Sequence, residues 1–397
     1  MSSGTAFHPR TSVLNSKLDW REWAGYHAAS VYSDHLDIEY NAIREAVALI
    51  DVSPLFKYTV TGRDAVRFID RVITRDATKI KVGGVIYTCW CNEHGKVIDD
   101  GTIARIDEAT FRWTAADPSL RWFEMNAAGL DVRIEEVTDV VAALAVQGPR
   151  ARALLEDVTG ESWTDVRYYQ RRPAQIAGID IDVSRTGYTG DLGYELWVAA
   201  DRAVDLWDAV ASAGAPHGVR PAGMLALDVC RIEAGLILIE VDFTSVRHAL
   251  NSEQAYSPFE IGLGKLVNFK KGADFVGRSA LAAEQAAGGP ARRLVGLELD
   301  WDAIQDLYAA QELPPGLQAA ASRVPVPIFH GRRQVGRATS TTWSPGLKRC
   351  IALGSVRPRY EEVGSTVAVE WTVEARRSRV PARVVPLPFF DPPRKKA

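Results

Sequence analysis

From residue 292 to residue 385 the chain reads as short apolar runs separated by Gly and Pro turns: "RRLVGLELD", "VPVPIFH", "RRQVGRATS", "CIALGSV", "STVAVEW" and "SRVPARVV". Runs this short cannot build useful helices; at this spacing they specify a separate all-β domain, a small barrel or a sandwich. The stretch "EQAAGGPARR" just before them has the composition of a linker. Upstream the pattern differs, with helices alternating with antiparallel-looking strands, which is an α+β signature. At 397 residues the chain exceeds one ordinary core, so two or three domains are expected.

The upstream elements can be placed from periodicity. Asp34 to Val52 reads as an amphipathic helix, with Leu36, Ala42, Ile43, Ala46, Val47 and Ile50 at helical spacing and Ser33 or Asp34 as cap. Gly62-Arg63-Asp64 opens a second helix carrying Ala65, Phe68, Ile69 and Val72. From Ile86 to Arg112 the reading is strand, Asn-Glu-His-Gly turn, strand. "GPRARALLEDVTG" and "DRAVDLWDAVASAG" read as capped helices, and "RPAGMLALDVCRIEAGL" as another between Pro221 and Gly235. The tail from Pro392 to Lys396 is expected to be frayed.

Composition narrows the function classes. A net charge of −3 gives no electrostatic case for nucleic acid or an anionic membrane, which leaves small molecules or proteins as partners. Met1 to Arg10 lacks a basic-then-apolar signal run, and no apolar stretch is long enough to span a bilayer, so a cytoplasmic protein is expected. Cys89 and Cys91 share one side of a strand, but no second pair completes a zinc site. The four cysteines read as reduced buried thiols, and no metal is expected.

The most specific segment is "SRTGYTGDLGYELWV", residues 184 to 198. A Gly-rich turn leads into a strand whose apolar run, Tyr194 to Val198, contains the carboxylate of Glu195. Period-two alternation puts Glu195 and Trp197 on one face, with Tyr194, Leu196 and Val198 on the other. Taken alone, a strand glutamate points into water.

This segment resembles the signature of the glycine cleavage T-protein family, the tetrahydrofolate-dependent aminomethyltransferases, with Asp191 in place of the family's first glutamate. "LIDVSPLFKYTVTGRDA", "NEHGKVIDDGTI", "ALAVQGPRA", "LDVCRIEAGL", "YSPFEIGLGKLVNFKKGADFVGRSAL" and "TSTTWSPGLKRCIALGSV" match the family's blocks in the same order. The resemblance covers roughly residues 20 to 388. It implies an α+β fold of three domains in a cloverleaf around a central folate cavity, the last an all-β barrel. On this chain those domains would be 10–55 with 138–250, 56–137 with 251–285, and 290–397.

The family's site residues carry over residue by residue. Glu195 is then the carboxylate that binds the pterin ring, whose neighbouring N–H and amine suit a two-oxygen acceptor. Gly187 to Gly193 would let backbone approach that ring. Asp99 is implied as the catalytic aspartate, with Asp100 on the opposite strand face in a structural role. Tyr87, Tyr188, Trp197 and Arg231 are implied at the folate site. Asp228, three positions before Arg231, offers it a plain helix-surface ion pair instead.

Two blocks depart from the glycine enzyme. "WREWAGYHAASVY" loses the family's proline and gains Trp20, Trp23 and Tyr26. After Glu233-Ala234-Gly235 the chain reads "LILIEVDFTSVRHALNSEQAYSP", a connection about nine residues longer than the family's. The altered pattern is similar to the branch that demethylates small molecules, such as methoxy-aromatic O-demethylases and the dimethylsulfoniopropionate demethylase. The expected function is therefore a tetrahydrofolate-dependent methyltransferase taking a methyl group from a small methoxy-aromatic, sulfonium or betaine-like donor. Trp23, Tyr26, Tyr32, Glu240, Arg247, His248, Trp343 and Arg349 are the candidate substrate residues. The alternatives are the aminomethyltransferase itself, with a lipoyl carrier protein as partner, and a non-catalytic folate-binding regulatory protein. The latter's "K-G-C-Y-x-G-Q-E" block has no counterpart in this sequence.

Overall fold

The structure, a computed structural model, describes residues 2–316 and 320–397. Two open sheets and a closed barrel organise the chain. In the six-stranded sheet the order is Arg171–Ile176, Ile179–Ser184, Gly193–Ala199, Val141–Gln147, Val47–Asp51, Val219–Pro221. The five-stranded sheet runs Val85–Cys91, Val97–Arg105, Thr110–Ala115, Phe56–Thr61, Arg133–Glu136. The barrel closes through Arg293–Leu299, Arg349–Val356, Arg333–Ser344, Val326–His330, Thr366–Val373 and Arg376–Val385. These are the six runs read from sequence, and the fold is α+β with a C-terminal barrel. No described helix is long and apolar enough to cross a membrane.

The six-stranded sheet is covered on both faces. One face packs Tyr194, Leu196 and Val198 against the helices Ala151–Thr159 and Ala203–Gly214. The other packs Trp197, Ala143 and Ala145 against Leu36–Glu45 and Met224–Glu233. The alternation expected along Gly193–Ala199 is thus observed. In the five-stranded sheet Trp90, Trp113 and Phe123 pack as a fully buried aromatic cluster, with the last two ring centroids 4.2 Å apart. Cys89 and Cys91 lie together in a further core with Tyr256, Phe259 and Phe275, and all four cysteines are buried free thiols.

Four local readings need correction. The helix expected over Asp34–Val52 stops at Glu45, and Val47–Asp51 is a strand. That strand pairs on both edges and is buried on both faces, so its continuous apolar run mimics helical spacing. Neither Ser33 nor Asp34 caps the helix; Glu39 reaches back and accepts from the Tyr32 and Ser33 N–H groups at 2.6 and 2.7 Å. The linker is shorter than its composition suggested, because the helix Arg278–Ala286 continues through Glu284-Gln285-Ala286. The tail is docked rather than frayed. Arg394 forms a two-pronged ion pair with the buried Asp191, at 2.6 and 2.8 Å.

Candidate active site

The Gly-rich turn is organised from behind by a side chain of the "VQGP" block. Gln147 donates to the carbonyls of Thr186 and Tyr194, both at 3.2 Å, and accepts the Thr189 hydroxyl at 2.8 Å. A Cβ on Gly187 or Gly193 would lie 2.1 or 2.2 Å from that amide. These glycines therefore admit a buried glutamine, not a ligand ring as the sequence suggested. With the turn held, Glu195 projects on the face shared with Trp197, opposite Ser184 in the neighbouring strand.

Hydroxyls surround the Glu195 carboxylate. Thr186 donates to its Oε2 at 2.5 Å, and Thr186 and Ser184 share a hydrogen bond of 2.9 Å. Ser184 also accepts the Trp197 indole N–H at 2.9 Å. Trp197 is only 4 % exposed, and the Arg112 guanidinium lies 4.0 Å above its ring, so it supports the site from the core rather than lining it. Arg112 comes from the five-stranded sheet and pairs with Asp182 of the six-stranded one at 2.5 Å. Burial pushes the Glu195 carboxyl above the ordinary glutamate range, opposed by Thr186 and by the charge of Arg112.

The other sheet contributes the strands Val85–Cys91 and Val97–Arg105. Here alternation holds but the faces are exchanged. Asp99, the expected catalytic residue, is 0 % exposed. One oxygen accepts the backbone N–H groups of Ala116 and Asp117, each at 2.9 Å, and the other accepts the N–H of Asp100 at 2.7 Å. Two of these three bonds anchor the chain where it leaves the strand Thr110–Ala115. Asp100, expected to be structural, is the partly exposed carboxylate and accepts the Tyr87 hydroxyl at 2.6 Å. Burial pushes Asp100 up to about 6, against the stabilising Tyr87 bond. Burial, reinforced by the charge of Asp100, drives Asp99 well above the usual aspartate range.

Tyr188 couples the two. Its hydroxyl donates to the Ile237 carbonyl, and its ionisation is raised by burial, with the charges of Asp100, Asp242 and Asp228 adding to the effect. Tyr87, Asp100, Arg112, Tyr188 and Glu195 are each partly solvent-accessible, yet burial dominates every one of their ionisations. These five side chains are thus half-buried polar groups near the contact between the two sheets, which Arg112–Asp182 and the Tyr169 backbone bridge.

Sequence reasoning missed Tyr169. Its backbone stitches the sheets together: Val85 donates to the Tyr169 carbonyl at 2.9 Å, and Tyr169 donates to that of Arg185 at 3.1 Å. It does so at φ +63°, a left-handed conformation that is unusual for a tyrosine. Burial raises its ionisation, the Glu195 charge adds to this, and Arg75 opposes it. Only the doublet Tyr168-Tyr169 ahead of a strand hinted at it.

Other expected residues take different places. Arg231 is 0 % exposed and saturated: it donates to Asp228 at 2.8 Å and Ser340 at 2.7 Å, and bonds to Asp242. The ion pair with Asp228 is real but buried, and Arg231 holds the barrel to the helix instead of reaching a ligand. Glu240 and His248 meet at 3.0 Å, and with Asp117 they form a cluster whose ligand atoms lie within 4.8 Å of one another. Arg247 donates to the Pro118 carbonyl at 2.6 Å. The rewritten loop packs against the Asp99 strand, where Ser245 donates to the Ile98 carbonyl at 2.6 Å, and it also reaches Tyr188 through the Ile237 carbonyl.

The expected aromatic wall is only partly assembled: Trp23 and Tyr26 are paired across the two-stranded hairpin Trp20–Trp23/Tyr26–Ala29. Trp20 packs against His8 and His27, Trp23 lies against the core under Trp197, and Tyr26 bonds to Asp139 beside a separate cavity of about 360 Å³. Tyr32 lines another small cavity with Asp51 and Met224. Trp343 packs at a tilt against Trp301 in the barrel domain, ring centroids 4.7 Å apart, and Arg349 is exposed and paired with Glu298 at 2.7 Å. None of these six residues contacts Glu195 or Asp100 through a hydrogen bond or ion pair among the described residues.

Two docked sheets sharing an acidic site, followed by a closed barrel, define a two-part class. Residues 10–271 match the GCVT N-terminal domain, and residues 292–391 match the glycine cleavage T-protein C-terminal barrel domain. The chain belongs to the glycine cleavage T-protein family. It is 37% identical over 412 residues to a trimethylamine-oxide aldolase of Ruegeria pomeroyi, covering 99% of this chain and 47% of that protein. The chain therefore spans about half the length of that relative. An aminomethyltransferase of Bacillus cereus is 32% identical over 357 residues, covering 89% of each. The crystal structure of glycine cleavage system aminomethyltransferase T from Bartonella henselae has the same fold, with a TM-score of 0.83, 24% identity and coverage of 98% and 99%.

If Arg231 is a structural hub, Arg231→Ala leaves the buried Asp242 without its counter-charge and Asp228 with Arg323 alone. The expected loss is about 3–5 kcal/mol of stability, read by urea denaturation. Replacing a folate ligand would instead weaken binding without such a loss.

Proposed function

We propose that this chain is a tetrahydrofolate-dependent one-carbon transferase that moves a methyl group from a small methylated compound to N5 of tetrahydrofolate. The reading rests on Glu195, a desolvated carboxylate framed by Thr186 and Ser184, and on the Tyr87–Asp100 pair of the other sheet, whose charge acts on Tyr188 of the same turn. The residues fit a pterin: a carboxylate with spare lone pairs, oriented by Thr186 and Ser184, matches adjacent N–H donors. Tetrahydrofolate would supply the nucleophilic nitrogen. Glu195 would hold its ring, Tyr87 and Tyr188 would wall it in, and Asp100 would accept a proton. The similarity to a trimethylamine-oxide aldolase supports a small N-methylated donor over a methoxy-aromatic one. Buried free thiols are compatible with a reducing cytoplasmic setting.

The same relative also favours a second reading, in which an aldehyde-level carbon is captured and 5,10-methylenetetrahydrofolate is the product. The likeness to aminomethyltransferases keeps a third, with an aminomethyl-lipoyl carrier as donor. Incubating the protein with tetrahydrofolate and trimethylamine N-oxide, methylated amines, betaines, sulfonium compounds or methoxy-aromatics separates them. 5-Methyltetrahydrofolate supports the proposal, the methylene product supports the second reading, and turnover only with the lipoyl carrier overturns both.

Two variants test the site itself. Glu195→Gln should raise the tetrahydrofolate Kd roughly 10- to 100-fold, because a charged acceptor is replaced by a neutral amide. For Asp100 the protonated form dominates below about 6, so a step that needs the carboxylate should gain rate as pH rises through that value. Asp100→Asn should abolish this acid limb in kcat/KM and lower the plateau on the order of 100-fold.

A further inference from the structure

We propose that the tail from Asp391 to Ala397 is a positioning strap that braces both ends of the turn carrying the Glu195 site; its bearing on folate rests on the function proposed above. At the far end of the turn stands Asp191, its side chain wholly buried. Arg394 meets it through two bonds of 2.6 and 2.8 Å, while Arg44 lies 3.6 Å away. At the near end stands Arg185, 2 % exposed, between the two residues whose hydroxyls surround Glu195, Ser184 and Thr186. Its guanidinium donates to the carbonyls of Ala397 at 2.5 Å, Lys395 at 3.2 Å and Arg394 at 3.4 Å. Arg152 adds a bond of 2.9 Å to the Ala397 carbonyl.

The strap is anchored upstream as well. Phe390 donates its N–H to the Glu233 carbonyl at 2.8 Å, and its ring lies 4.3 Å below the Arg44 guanidinium. Arg44 in turn pairs with the buried Glu233. The tail thus contacts the two arms of a turn that has little stiffness of its own, containing Gly187, Gly190 and Gly193, with Gly190 at φ +75°. A buried carboxylate without its counter-charge must move toward water or take up a proton. Loss of Arg394 would remove the two short charge-assisted bonds of Asp191 and leave it only Arg44 at 3.6 Å, so the turn should loosen, and Glu195 follows four residues later near the start of the next strand. Among the described residues no hydrogen bond or ion pair joins the strap to Glu195, Tyr87 or Asp100, so it acts on them through the turn.

The experiment compares the whole protein with Arg394→Ala and Arg394→Lys. Amide hydrogen exchange is measured without ligand, and tetrahydrofolate affinity by quenching of intrinsic fluorescence under anaerobic conditions. In Arg394→Ala the amides of residues 186–195 should exchange at least about tenfold faster while the barrel strand Arg349–Val356 is unchanged, and the Kd should rise about tenfold, with Lys restoring part of both. If Arg394→Ala unfolds, the Asp191→Asn and Arg394→Ala double variant, which removes both charges, takes its place. Unchanged exchange in the turn overturns the strap, as does a loosened turn with unchanged Kd. If the unmodified protein binds no tetrahydrofolate, the folate reading falls, while the exchange measurement still decides whether the tail braces the turn.

Discussion

Three acidic or basic side chains point from different sides of the buried helix Met224–Glu233, and the arrangement of the molecule follows from the need to neutralise them. Asp228, Arg231 and Glu233 are each at most 2 % exposed. An unpaired charge at such a position costs several kcal/mol, and each of the three finds its partners on different parts of the chain. Arg231 reaches Asp242 in the rewritten loop and Ser340 in the barrel. Asp228 takes Arg323 at 2.6 Å as well. Glu233 accepts from Tyr40 at 2.7 Å, from Arg44, and from Ser344 of the barrel at 2.5 Å. These charges are satisfied only when the barrel, the loop and the helix Leu36–Glu45 have docked, so the helix acts as a keystone.

The site is a product of that docking. Glu195 belongs to one sheet and Tyr87 with Asp100 to the other, and Tyr188, in the turn before Glu195, feels the Asp100 charge only once the two sheets have docked. Enclosure then does the chemical tuning. Burial raises both carboxyls, and it brings Asp100 into the range where a proton can be gained or lost near neutral pH. A site assembled across an interface in this way is sensitive to small shifts of its supports, which is why supporting bonds cluster behind it: Gln147 under the turn, Tyr169 between the sheets, Arg112 between Trp197 and Asp182.

The reading of individual residues from sequence divides along the same line. The barrel strands, the helix around Phe68 and the face of Glu195 were legible, because short-range periodicity encodes them. Val47–Asp51 was not, because a strand buried on both faces loses its alternation. Asp99 and Asp100 were correctly assigned to opposite faces but to the wrong ones. Trp23 and Tyr26 became direct cross-strand partners, while Trp20 packs against His8 and His27. The tail, polar and rich in Pro and Lys, had every local mark of a free end, and its partners, Asp191 and Arg185, lie some two hundred residues away.

What the sequence determined by itself is the kind of each element, the family blocks and the presence of one carboxylate on an otherwise apolar strand, all properties of neighbours within a few positions. Tertiary structure decided which carboxylate of the Asp-Asp pair is left accessible, that Arg231 is spent on the fold, and that the tail is bound. Alternation states that adjacent side chains part company; only the docking of a second layer determines which of the two is left facing open space.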